Sequence, residues 1–121
     1  MRLADLEPCF LRYEEREDGV FFPWAANLGL AMGVHFLCPK CVSANGHAII
    51  VWFAGRGVPD DAEPGAAYLK GESEDYPEGR PAQRWTVSGS SWGDLTLAPS
   101  IRLKGGCAWH GWVQNGQTKD A

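Results

Sequence analysis

Two short cysteine-containing motifs, far apart in the chain, place the strongest constraint on how it can fold. The first is Cys-Pro-Lys-Cys at residues 38–41, and the second is Cys-Ala-Trp-His at residues 107–110. In each motif two residues separate the candidate ligands, a spacing that can place both side chains on one tetrahedral zinc ion. Closing the long loop over residues 42–106 costs little more than closing a short one. We therefore predict one zinc site that joins the two motifs, formed by Cys38, Cys41, Cys107 and His110.

Other histidines and other chemistry remain open for these cysteines. His47 follows Cys41 in the next loop and is a rival to His110 as the fourth ligand. His35 is a weaker rival, because it lies inside an expected strand. A redox pair would be favoured by a helix directly after the second cysteine, and the sequence Val-Ser-Ala-Asn-Gly-His does not favour one. Cys9 has no partner at metal-ligand spacing and is expected to be a small buried apolar residue.

Length, charge and cysteine content limit the class of protein. The 121 residues predict a single domain over residues 1–121, whose modest core would gain from a bound metal. The formal net charge of −4 argues against a broad nucleic-acid-binding surface. No apolar run approaches the ~20 residues that cross a bilayer, and the first residues do not resemble a signal peptide. We therefore expect a cytoplasmic protein in which cysteines bind metal rather than form disulfides.

The distribution of apolar residues and turn formers predicts short strands. The 15 glycines and 8 prolines favour many turns, and Asn115–Gly116 predicts a tight turn near the end of the chain. Residues 33–38, 47–54 and 83–89 are expected strands, and another is expected within residues 91–103, interrupted at Pro99. Residues 55–82 are rich in glycine, proline and acidic residues and predict a mobile surface loop. We predict a mainly β fold: a small antiparallel domain with zinc-ribbon-like knuckles and little helix.

The six tryptophans divide by their expected positions. Trp52 and Trp85 lie in expected strands and are predicted to be core residues. Two more, one on each side of the second motif's histidine, are expected to shield the metal from water. Trp24 and Trp92 lie in expected loops, which makes them the candidates for contact with a partner protein.

Several segments resemble the DUF6527 family of small phage and bacterial metal-binding proteins, whose phage members often carry an ammonia monooxygenase label. The similar segments begin with MRLADLEP and GVHFLCPKC, and the most specific are LTLAPSI and WHGWVQNG. Residues 14–31 and 55–82 fall outside the resemblance. The resemblance implies a compact β-rich metal-binding domain in which the four predicted ligands match the family's metal positions. The monooxygenase label does not fit, because the chain lacks a transmembrane segment and a histidine cluster for copper.

These observations lead to one preferred function and two alternatives. We expect a non-enzymatic zinc-binding module that acts through protein contacts, specifically a phage-encoded accessory protein that inhibits a host defence complex in the host cytoplasm. The first alternative is a metal-dependent hydrolase or a ubiquitin-pathway-like accessory enzyme, whose zinc would keep an open position. The second is a nucleic-acid-binding zinc ribbon with a basic face around Lys40, Arg84, Arg102 and Lys104. No catalytic residue is assigned, because the common hydrolase motifs are absent.

Overall fold

The computed structural model describes residues 1–43, 46–60, 62, 67–68 and 83–103, together with 107–121. Its described residues form ten short strands and two 3₁₀ turns, Leu3–Leu6 and Leu28–Leu30. The strands are β1 (Cys9–Leu11), β2 (Glu14–Arg16), β3 (Gly19–Phe21), β4 (Gly33–Leu37), β5 (Ala48–Trp52), β6 (Ala67–Tyr68), β7 (Thr86–Ser88), β8 (Thr96–Leu103), β9 (His110–Gln114) and β10 (Gln117–Asp120). All their ladders are antiparallel, so the predicted mainly β fold is confirmed.

The strands form two larger sheets and one hairpin. The first sheet has the order β1-β4-β5, and β2 pairs with β3 in the separate hairpin. The second sheet has the order β10-β9-β8-β6, and β7 also pairs with β8. The long strand β8 therefore lies in the middle of the second sheet. It continues through Pro99, which corrects the predicted interruption, and a shift in register between Leu97 and Ile101 accommodates the irregularity.

One hydrophobic core joins the two larger sheets. Alternate residues of β4 and β5, such as Phe36 and Val51, pack with Leu97 and Ile101 of β8. Fully burying an aliphatic or aromatic side chain of this size contributes about 1.5–3 kcal/mol, so the shared core holds the sheets together. Trp52 and Trp85 are 1% and 0% exposed, as predicted for core residues.

The turn between β9 and β10 is the tight hairpin that Asn115 and Gly116 predict. Their φ angles are +50° and +72°, the left-handed values that a type I′ turn needs at both central positions. A Cβ atom at Gly116 would overlap the backbone of Trp92 and Gly93, so this position requires glycine for space as well as for conformation. The turn fixes the register of β10 on β9, and β9 carries the histidine discussed below.

Most of the acidic loop predicted at residues 55–82 lies outside the described residues. Where this segment is described, the Arg84 guanidinium donates hydrogen bonds to the carbonyl oxygens of Pro59 and Ala62. Lys104, one residue of the hypothetical basic face, also lies outside the described residues. In the described parts of the chain, no helix has the length and apolar character that crossing a membrane requires.

Candidate metal centre and serine–histidine pair

Three of the four predicted metal ligands come together, and the fourth member of the group is His47. The ligand atoms of Cys38, Cys41, His47 and Cys107 all lie within 4.8 Å of one another. The Cys38 and Cys107 Sγ atoms are 3.6 Å apart, and His47 Nε2 lies 3.2 Å from Cys107 Sγ. His110 is not part of this group. The geometry therefore corrects the predicted fourth ligand to the rival considered from the sequence.

The pairing of β4 with β5 explains why His47 takes this position. Cys38 directly follows β4 and His47 directly precedes β5, and these strands pair with Leu37 opposite Ala48. The Cys38 N–H donates a 2.8 Å hydrogen bond to the His47 carbonyl oxygen. This pairing therefore fixes Cys38 and His47 opposite each other at one end of the β4–β5 hairpin.

Cys38, Cys41, His47 and Cys107 are called the metal group below. Cys107 belongs to the second motif, and its position brings that motif to the first. The Cys41 N–H donates to the Cys38 carbonyl at 3.1 Å and closes the tight turn of the first motif. The ammonium of Lys40, inside that turn, donates a 2.9 Å hydrogen bond to the Cys107 carbonyl oxygen. The turn of the first motif and the loop before β9 are therefore in direct contact, as the joined motifs predicted.

The protonation of the three thiols fits a group built to bind a cation. Burial raises the pKa of Cys38 to about 12. The hydrogen bond with Cys107 raises the pKa of Cys41, and burial raises it further. Burial also raises the pKa of Cys107, but hydrogen bonds with His47 and with the Trp109 backbone outweigh this effect and lower it to about 6. One thiolate therefore lies beside two thiols, and a thiophilic dication would displace the two remaining protons.

The donor set and its spacing fit zinc. Two sulfurs bound tetrahedrally at about 2.3 Å from one ion are about 3.8 Å apart, and a sulfur and a nitrogen are slightly closer. The observed distances of 3.6 and 3.2 Å are close to these values before any ion is placed. Three cysteines and one histidine are a common set for structural zinc. The residues present thus fit the predicted metal.

His110 takes part in a different arrangement, at the start of β9. Its Nε2 atom lies 3.3 Å from the Oγ of Ser100 on β8. In the β8–β9 ladder Arg102 is opposite His110, so Ser100 is the diagonal neighbour of the histidine. A serine hydroxyl within reach of an imidazole nitrogen is the basic arrangement of an activated nucleophile, and this distance often shortens when substrate binds.

His110 lies at the edge of a cleft beside the metal group. A cavity of about 360 Å³ is lined by Pro39 and Lys40 of the first motif and by Trp109, His110 and Asp120. Ser100 is 4% exposed, and His110 is partly exposed to this cavity. The cavity therefore contacts the histidine of this serine–histidine pair, and the serine lies behind it.

The segment from Cys107 to Gly111 connects the metal group and the histidine. Ala108 has a φ of +52°, so the chain turns sharply between the thiol and the histidine. The Trp109 indole N–H donates a 2.9 Å hydrogen bond to the Asp120 carboxylate. A Cβ atom at Gly111 would overlap the Trp109 ring and the Lys119 carbonyl, so only glycine allows the ring to pack here.

The two predicted partner-contact tryptophans have different surroundings. Trp24 is 80% exposed. Trp92 is half-buried and stacks on Phe10, with ring centroids 4.0 Å apart and an interplanar angle of 20°. Packing inside the protein therefore accounts for Trp92, whereas Trp24 has a surface available for a partner.

Ser100 is the residue that sequence reasoning did not single out. Its signal was weak, since a serine after a proline in a strand matches no hydrolase motif. The available clue was the pairing of two expected strands, residues 91–103 with the segment after His110. That pairing brings a serine and a histidine to one face of a sheet.

One family model matches part of the chain. The family model described as "BubE: Bacterial ubiquitination-like system serine protease (BubE)" matches residues 74–121. The matched segment contains Ser100, Cys107 and His110. No curated protein and no solved structure matches the chain.

This match corrects two expectations drawn from the sequence. The matching family is a different one from the DUF6527 family, so that resemblance is replaced. The family description names an enzyme, which contradicts the preferred non-enzymatic interaction module. It likewise gives no support to a phage-encoded inhibitor of host defence. The alternative of a ubiquitin-pathway-like accessory enzyme agrees better with the match.

Proposed function

We propose that this chain is a serine protease of a bacterial ubiquitination-like system, with Ser100 as the nucleophile and His110 as its general base. The observation that carries the proposal is the 3.3 Å approach of Ser100 Oγ to His110 Nε2. Both residues lie in the segment that matches a family described as a serine protease. The geometry and the family description therefore support the same chemistry independently.

The roles of the two residues follow from the atoms that face each other. Ser100 Oγ would attack the carbonyl carbon of the scissile bond, and His110 Nε2 would accept the hydroxyl proton. The same imidazolium would then donate that proton to the leaving amine, and a water molecule activated by His110 would release the acyl group from Ser100. The cleft that His110 lines would admit the substrate, and the nearly buried Ser100 lies beside that histidine.

In this proposal the metal is zinc and its role is structural. Cys38, Cys41, His47 and Cys107 would hold it, and four protein ligands leave no position for a catalytic water. Bound zinc supplies a crosslink between the first motif and the loop before β9. By fixing that loop, the site would hold the start of β9 and, with it, His110. A metal-dependent hydrolase is therefore the weaker proposal. A cysteine-rich metal site suits a reducing cytoplasm, where we place the protein.

The test is cleavage of a bacterial ubiquitin-like protein that carries a C-terminal reporter peptide. Ser100→Ala and His110→Ala should each lower the cleavage rate at least about a thousandfold, because loss of either partner removes nucleophile activation. Ser88→Ala is the matched control, since Ser88 is an exposed serine on the neighbouring strand β7. Its rate should equal that of the wild type.

Two further measurements separate the proposal from metal-dependent hydrolysis. Both inactive variants should keep the zinc content and circular dichroism of the wild type, because neither residue belongs to the metal group. If Ser100→Ala cleaves at the wild-type rate, Ser100 is not the nucleophile and the proposal is wrong.

A further inference from the structure

A second cavity lies on the other side of the β1-β4-β5 sheet from the core. Cys9, His35 and Ile50 are direct cross-strand partners on β1, β4 and β5, so their side chains share one face of this sheet. Their neighbours in sequence, such as Val34 and Val51, point into the core instead. Phe22 and Trp24 form the wall of this cavity, which has a volume of about 570 Å³.

The wall of this cavity includes an aromatic ring, that of Trp24, which is mostly exposed to solvent. Trp24 is 80% exposed, although its backbone is held by a bridge to Leu11. The Ala25 N–H also donates a 2.9 Å hydrogen bond to the Phe10 carbonyl oxygen. Phe22, beside it, is 44% exposed. A large indole presented on a fixed backbone is suited to contact with a partner.

One carboxylate lines this cavity, and the adjoining segment of the chain is acidic. Glu7 lies on its lining, and residues 5–18 contain six acidic and two basic residues. Arg12 and Arg16 make ion pairs with Glu14, and Arg2 makes one with Asp5, so no ion pair among the described residues neutralises Glu7. Electrostatic complementarity therefore favours a cationic group.

One residue on the lining, His35, has a polar atom without a hydrogen-bond partner in the described part of the chain. The Nδ1 atom of His35 is buried and has no hydrogen-bond partner among the described residues.

We propose that this cavity binds the side chain of a lysine on a partner polypeptide. The aliphatic stem would pack on Ile50 and Phe22, and the ammonium would lie between the Glu7 carboxylate and the face of the Trp24 indole. A cation over an aromatic ring is attracted by the ring's quadrupole. A lysine can bury its aliphatic stem on apolar surface while its ammonium stays near the carboxylate and water. This binding site is independent of the proposed protease chemistry, which uses the other sheet.

The test is NMR titration of the full-length ¹⁵N-labelled protein with blocked pentapeptides. The probes are Ac-Gly-Gly-Lys-Gly-Gly-NH₂ and two counterparts with norleucine or glutamate in place of lysine. Norleucine keeps the aliphatic stem and removes the charge. We expect the lysine peptide to shift the Trp24 indole and His35 signals, and the norleucine and glutamate peptides to bind more weakly.

Matched variants identify the groups responsible. Trp24→Ala should weaken lysine-peptide binding at least about two- to fivefold, the effect of one exposed cation–π contact. Glu7→Gln should weaken lysine binding and leave norleucine binding unchanged. The controls are Trp112→Ala, at an indole that is 36% exposed elsewhere, and Glu15→Gln, at an acid outside the cavity.

The proposal is overturned if the norleucine peptide binds as well as the lysine peptide, because the cavity would then recognise apolar surface alone. It is also overturned if the Trp24 and His35 signals stay unchanged at millimolar lysine peptide. Equal binding by Glu7→Gln and wild type would contradict it as well, since the carboxylate would then have no part in recognition.

Discussion

Replacing His47 and His110 in turn separates the metal-ligand role that the sequence assigned to His110 from the general-base role that we propose for it. Structural zinc sites with four ligands bind with about 10–16 kcal/mol, so one ligand contributes about 2.5–4 kcal/mol on average. At 1.36 kcal/mol per factor of ten, His47→Ala should weaken zinc binding about a hundredfold to a thousandfold. His110→Ala should change zinc affinity less than about threefold, since it removes no ligand.

The assay is competition for zinc with a chromophoric chelator, accompanied by circular dichroism to follow folding. The His47 variant should also lose its fold at chelator concentrations that leave the wild type folded, because zinc binding and folding are linked. The reverse pattern, in which His110→Ala loses zinc and His47→Ala retains it, would refute the reasoning from the β4–β5 pairing.

Three further predictions concern the thiols, a crowded glycine and an exposed carboxylate. Zinc binding at pH 7.5 should release about two protons, one from each thiol with a raised pKa, measured by calorimetry in buffers of different ionisation enthalpy. Gly111→Ala should lower the free energy of unfolding by about 1–3 kcal/mol in a urea titration, whereas Gly93→Ala, where an added Cβ has space, should change it little. Hydrogen bonds from the backbone N–H groups of Ser90 and Ser91 lower the pKa of Asp94, so Asp94 should stabilise the fold above its unfolded pKa of about 3.9. That contribution should disappear as pH falls through the lower folded pKa; an NMR titration midpoint at or above the ordinary value would contradict this prediction.

The sequence was sufficient for the fold class because its local signals agree with one another. β-branched and aromatic runs predicted the strands, and Asn115 with Gly116 predicted the turn between β9 and β10. The effect of Pro99 was misjudged, since a bulge allows β8 to continue through it. Proline excludes a regular ladder hydrogen bond, but it does not exclude a strand whose register shifts at that point.

Three of the four members of the metal group were predicted, and His110 was predicted in place of the fourth, His47. Spacing within a motif is local, so the two cysteine positions of the first motif were readable from sequence. The choice between His47 and His110 depends on which strands pair and in which register, and spacing alone carries no such information. The hydrogen bond from Cys38 to His47 is a consequence of that register.

The serine–histidine pair could not be predicted for the same reason. Ser100 and His110 lie on different strands, and their approach depends on the pairing of Arg102 with His110. A histidine next to a cysteine in a metal-like motif was therefore assigned to the metal, although the backbone turn at Ala108 directs it elsewhere.

Labelling with a fluorophosphonate tests the central claim most directly. This reagent reacts with an activated serine: the Oγ–phosphorus bond forms, the phosphorus–fluorine bond breaks, and fluoride leaves while His110 accepts the hydroxyl proton. Peptide mass spectrometry of the folded, zinc-loaded protein should locate one adduct on Ser100. The adduct should be absent from Ser100→Ala and form at least about a hundredfold more slowly in His110→Ala. Absence of an adduct on Ser100, or labelling at an equal rate without the histidine, would contradict the account.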